Sequence, residues 1–222
     1  MTTAREVKKL VAPLLARHDD LVLHGRFVIL RPIRHVMRSV FIDATGSKNR
    51  FSPTYYAFGM FEPDVGGLGC FGDRFGTGHK AKGWSLDDPH ASEMLTEQIE
   101  AVVLPTLRSI VSIKDYAEFA QNGPFYTAKL DFHVQRKLPV DVALGDFEAA
   151  EDSLAKLRAR RRWYENDNYT EFLDMIDVLG PLVDAQDRKG LAAWLHAREA
   201  ETARNRKLTP YWQPSPFPIE VM

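Results

Sequence analysis

From Gly66 to Gly83 the chain reads GGLGCFGDRFGTGHKAKG, with glycine at positions 66, 67, 69, 72, 76, 78 and 83. Glycine reaches backbone angles closed to other residues and loses the most entropy on ordering, so such a run does not fill a core. It separates two blocks of different hydrophobic period. Upstream lie β-branched and aromatic runs; downstream, apolar residues recur at helical spacing. A connection this long inside a compact domain is a place to look for a site.

The upstream block opens with a helix. Thr3 and Glu6 form a capping-box pair, and Val7, Leu10, Val11, Leu14 and Leu15 follow on one face. Pro13 should kink this helix or end it early. From Leu21 to Glu62 the period changes. LVLHGRFVILRPI breaks at Gly25, VMRSVFIDAT is β-branched, SKNR is turn-like and TYYAFGMF is aromatic. This predicts an antiparallel meander of three or four strands, with the first helix packed on one face.

Downstream, Asp88-Pro89 reads as an N-cap with proline at the first helical position. Leu95, Ile99, Val102, Val103, Leu107, Ile110 and Val111 then line one face of a long helix that Pro105 should kink or split. A second helix covers Lys114 to Gln121 and stops at Asn122-Gly123-Pro124. Between Tyr126 and Val134 apolar and polar residues alternate, which fits a strand. The following Leu144-Gly145-Asp146-Phe147 resembles a helical-hairpin turn, which favours helix before it. Three helices follow, one to about Tyr164, one carrying Tyr169, Phe172, Leu173, Ile176 and Leu179, and one after Asp187. The tail TPYWQPSPFPIEVM predicts an extended, proline-rich strip packed back on the domain.

The expected fold is α+β. An antiparallel three- to four-stranded meander packed with helices occupies residues 1–122 and contains the glycine-rich loop 66–83. A helical subdomain occupies 123–207 and an extended tail 208–222.

Composition narrows the function. Among 222 residues the formal net charge is −1, against the basic surplus that nucleic acid or an anionic membrane demands. The single cysteine, Cys70, permits no intrachain disulfide, and no stretch is apolar enough for a membrane span. These features lead to the expectation of a cytoplasmic protein.

Gly72, Gly76, Gly78 and Lys80 miss the phosphate-loop pattern, because His79 intervenes and Ala81 replaces the hydroxyl residue. Cys70 with His79 has no surrounding nucleophile signature, and the histidines show no helical zinc spacing. No cofactor, metal or catalytic set is therefore expected. Arg74, His79, Lys80 and Trp84 are the candidate binding residues, able to grip an acidic surface. Arg158, Arg161 and Arg162, ahead of Trp163 and Tyr164, form a secondary basic patch. It could hold nucleic acid, although nearby carboxylates favour a solvated face or a protein interface.

The order of features resembles a family of bacterial α+β domains of unknown function. The resemblance rests on Leu14-Leu15-Ala16-Arg17-His18, on Trp84 before a helix containing Val103-Leu104-Pro105-Thr106-Leu107, and on Leu144-Gly145-Asp146-Phe147. It covers about residues 1 to 165 and implies no catalytic residues. It also implies an immunity-like role. Together these readings give a non-enzymatic protein-binding module that occludes a partner through the 66–84 segment. The alternatives are an enzyme for a small anionic substrate at the glycine-rich loop, and nucleic-acid binding at the arginine-rich helix.

Overall fold

In a computed structural model of the chain, residues 3–45, 49–63, 71–76, 84–123, 129–167 and 169–221 are described. The N-terminal capping box forms between Thr3 and Glu6 ahead of α1 (Ala4–Leu10), and α2 (Ala12–Arg17) continues past a break at Val11, with Pro13 in its first turn. The antiparallel sheet follows as β1 (Leu21–His24), β2 (Phe27–Leu30), β3 (Val36–Ala44) and β4 (Arg50–Gly59). Gly25 turns the first hairpin at φ 61°, a left-handed angle that a side chain would strain.

The sheet is larger than the meander predicted from sequence. β5 (Phe71–Arg74) pairs with residues 54–57 of β4, and β6 (Trp84–Ser85) with residues 50–51, so both extend the same edge. The strand at 71–74 falls within the run read as a loop. Its glycine is the reason it forms and the reason it was missed. A Cβ on Gly72 would lie 2.0 Å from the Tyr55 carbonyl oxygen, so only glycine permits the close approach.

The sheet is covered on both faces, and period-two alternation decides which residue faces which layer. Val28, Val40, Ile42, Phe51 and Tyr55 pack under α1, α2 and the helices after residue 90. Ile29, Met37, Tyr56 and Phe58 face Ala203 and Leu208, with Tyr211 and Trp212 alongside.

Helix α3 (Ala91–Gln98) starts later than predicted. Asp88 does not cap it; its carboxylate accepts from the His90 N–H at 2.9 Å in the preceding turn. A π-turn at Ile99–Val103 leads into α4 (Leu104–Ser109). There the Leu104 N–H reaches back to the Ile99 carbonyl, accommodating Pro105 without an ordinary helical turn. The altered winding exposes Val102, and the chain leaves the helix before Val111, so both lie outside the expected buried face.

Helix α5 (Ile113–Asn122) has its own capping box, from Ser112 and Asp115. Residues 124–128 lie outside the described set. Leu130–Phe132 forms a 3-10 turn that buries Leu130 and exposes Phe132, which the strand alternative would have buried beside it. The helical hairpin is present as α6 (Val134–Leu144) and α7 (Phe147–Ala159). Gly145 ends the first at φ 74°, and Asp146 caps the second by accepting from the Ala149 N–H. α8 (Arg161–Asn166), α9 (Thr170–Asp184) and α10 (Arg188–Asn205) follow, the last capped by Asp187.

The tail runs beside Ile33. The Ile33 N–H donates to the Tyr211 carbonyl at 2.9 Å, and the Gln213 N–H to the Ile33 carbonyl at 2.7 Å. It ends as the short helix α11 (Pro218–Val221) rather than remaining extended, with Phe217 and Ile219 fully buried. One apolar cluster runs from Ala57 and Phe71 of the sheet through α5, α6, α7 and α9 to Phe217. It therefore crosses the sequence boundary drawn at residue 122.

Candidate functional site

Sequence had pointed to the glycine-rich segment. Arg74 is exposed at the end of β5, opposite Thr54, while Trp84 pairs with Phe51 at a different part of β4. Trp84 is buried, its ring stacked on Phe51 at 5.9 Å. Gly76 leaves room for it, since a Cβ there would sit 2.3 Å from the Trp84 Nε1. Trp84 is thus an anchor of the sheet edge. His79 and Lys80 lie outside the described residues.

The basic patch is divided between two helices. Arg158 on α7 donates both Nη groups to Asp184, at 2.9 and 2.6 Å, and lies across Gly180. Arg161, the first residue of α8, grips Asp177 with two bonds at 2.6 and 3.1 Å and Glu165 with a third at 3.0 Å. These bonds hold Asp184 and Asp177 below the usual carboxylate range and Arg161 above its ordinary value. Two of the three predicted arginines are therefore already neutralised. Arg162 is exposed and takes no part in these pairs.

Beside them stands an aromatic shelf. Trp163 is 51% exposed and Tyr169 44%, yet both are backed by buried rings. Trp163 lies 5.2 Å from both Tyr164 and Tyr169, and Tyr169 stacks on Phe172 at 5.4 Å and 18°. Tyr164 meets Phe172 edge to face at 5.1 Å. Offset and edge-to-face contacts of this kind fix ring orientation. The exposed faces consequently present area whose rotamer entropy has already been lost.

A cleft of about 550 Å³ opens at the other end of the tail, between the β2–β3 connection, the α4–α5 connection and residues 215–221. Here Ser215, His35 and Glu199 make a contact that looks like a catalytic triad. His35 Nδ1 lies 2.9 Å from Glu199 Oε1, and its Nε2 lies 3.1 Å from Ser215 Oγ. The same Nε2 is 3.2 Å from the Pro216 carbonyl. These contacts tie residues 215 and 216 of the tail to His35 and, through its ring, to Glu199, forming a latch for the tail. A parallel latch lies close by, where Glu220 accepts from His196 at 2.9 Å and from the Phe217 N–H at 2.6 Å. Phe217 is held between the two imidazoles, at 4.1 and 4.9 Å between ring centres.

A third polar cluster is sealed in the core. Tyr116 donates to Glu62 Oε1, while Arg136 Nη1 stands 3.7 Å from Oε2, too far for a hydrogen bond. Oε2 is buried with no hydrogen-bond partner. Burial pushes the Glu62 carboxyl up to about 7, against the opposing pull of Arg136 and Tyr116. Gly59 makes room for it, because a Cβ there would lie 2.7 Å from Oε1.

Comparison with known proteins found no matching family model, curated relative or solved structure. Sequence reading had noticed Trp163 beside the arginines but placed Tyr169 among helix-face residues. It missed the cleft, whose basic residues, Arg34, His35 and Arg38, carry no motif.

Proposed function

We propose that this protein is a non-enzymatic binding module that docks a protein partner on the Trp163–Tyr169 shelf. The observation that supports it is the pairing of high exposure with rigid backing. Tryptophan, tyrosine and arginine dominate the energetics of protein interfaces when rigidly presented and desolvated by a partner. Arg162, at the rim, favours an acidic residue on the partner. The neutralised state of Arg158 and Arg161 weighs against gripping a polyphosphate, so protein is the favoured partner over nucleic acid. The resemblance to immunity-like domains is consistent with occlusion of a partner.

The test begins with capture from the source lysate, followed by titration of the purified partner against wild type and Trp163→Ala. Affinity should fall by about thirtyfold or more, with the melting temperature little changed. Equal affinity in both proteins, or self-association as the sole interaction, would overturn the reading. A fluorophosphonate probe should leave Ser215 unlabelled; stoichiometric labelling would make it a nucleophile and overturn the non-enzymatic reading.

A further inference from the structure

The cleft is a separate matter from the shelf. Its described lining contains Arg34, His35 and Arg38 and no carboxylate side chain. Arg38 is largely buried, and it ties two walls together by donating to the Ile110 carbonyl at 3.0 Å and the Pro32 carbonyl at 3.2 Å. Those bonds use two of a guanidinium's five N–H groups and bring no negative charge. The acid that faces Arg38 is Asp20, and Arg108 already holds both its oxygens, at 2.9 and 3.1 Å. Arg34 adds a second like charge at the mouth. His35 is already paired with Glu199, and Asp115 accepts from the Val111 and Ser112 N–H groups, so the positive charge of the lining is that of Arg34 and Arg38, in a molecule whose net charge is −1.

The rest of its wall is apolar. Val111, from the α4–α5 connection, and Val221, from the tail, stand 75% and 76% exposed in its lining, which Ile110 also joins. Exposed methyl groups lining one cleft gain by being covered together. A volume of about 550 Å³ lies within the range of small-molecule sites, which combine apolar walls with a few placed polar groups.

We propose that this cleft binds a small amphipathic carboxylate, its head between Arg34 and Arg38 and its apolar body between Val111 and Val221. The carboxylate supplies the charge that Asp20, committed to Arg108, does not. A planar two-oxygen head matches the edge of a guanidinium and strengthens as water leaves. The apolar body covers the two valines and gives selectivity against free inorganic anions.

Octanoate, octanamide and inorganic phosphate, titrated calorimetrically into the full chain, test the proposal. Octanoate should bind and raise the melting temperature, while octanamide and phosphate should each bind at least about tenfold more weakly. Arg34→Gln should weaken octanoate by about tenfold, and Val111→Asp should weaken it further by repelling the head and removing apolar cover. Both positions are exposed, so circular dichroism should show each variant folded as wild type. Binding should also weaken from low to high salt. Absence of octanoate binding, an affinity indifferent to Arg34→Gln, or phosphate binding as tight as octanoate would each overturn the proposal.

Discussion

The shelf and the cleft are both arginine-bearing surfaces with exposed apolar groups, but their arginines are in opposite states. Around the shelf, Arg158 and Arg161 are clamped by the protein's own Asp184, Asp177 and Glu165. In the cleft, Arg38 is tied to carbonyls, and no carboxylate side chain lines the wall among the described residues. An exposed guanidinium that already chelates an aspartate has little left to offer a ligand. The surface richer in arginine is therefore the one expected to bind through its rings, and the poorer one through its charge. Salt separates the two: shelf binding should be nearly indifferent to ionic strength and cleft binding should not.

The contrast can be pressed first at its buried limit. Arg136 is buried and stands 3.7 Å from its acid, Glu62, too far for a full hydrogen bond. The folded protein keeps the Glu62 proton until about pH 7, whereas the unfolded chain releases it near the ordinary value of 4.5. This contribution to stability is fully present below 4.5 and declines as the pH rises to 7. Between those limits wild type should lose about 3 kcal/mol that Glu62→Gln does not lose. Urea unfolding at both ends of the range measures it, and parallel pH profiles for the two proteins would refute it.

Next comes Trp163→Ala, which should weaken partner binding by about 2 kcal/mol at low and high salt alike. A strong salt slope would transfer that interface from rings to charge. Arg34→Gln follows, with about 1.4 kcal/mol lost for octanoate at low salt and much less at high salt. The smallest effect belongs to Arg161→Ala. The pair is solvent-exposed, so the melting temperature should move only slightly and partner affinity should stay that of wild type. If this substitution weakened the partner as much as Trp163→Ala, the distinction between the two surfaces would fail.

Much of the fold was legible because its signals are local. The Thr3–Glu6 box, the Gly25 hairpin and the Leu144-Gly145-Asp146-Phe147 turn each close hydrogen bonds within a few residues. β5 was not legible, because Gly72 replaces the side chain that would have marked its alternation, and its fit depends on the Tyr55–Tyr56 backbone opposite. The start of α3 was misread for a related reason, since Asp88 finds a turn N–H before the helix begins. Within the candidate sites, Trp163 was visible beside its arginines. Trp84 looked equally available until its contact with Phe51 placed it in the core.

The sequence by itself determined the first four strands, most of the helices, the Thr3–Glu6 cap and the Gly145 turn, because period and capping act over three or four residues. Only the tertiary structure decided which charges remain available. Arg161 finds Asp177 and Arg158 finds Asp184 on a different helix, while Arg38 meets carbonyls of Pro32 and Ile110 from two separate connections. Electrostatic pairing falls off with distance in space and is screened within about 10 Å of water. Neighbours along the chain therefore say little about which cation is already satisfied, and the packing of distant segments says nearly everything.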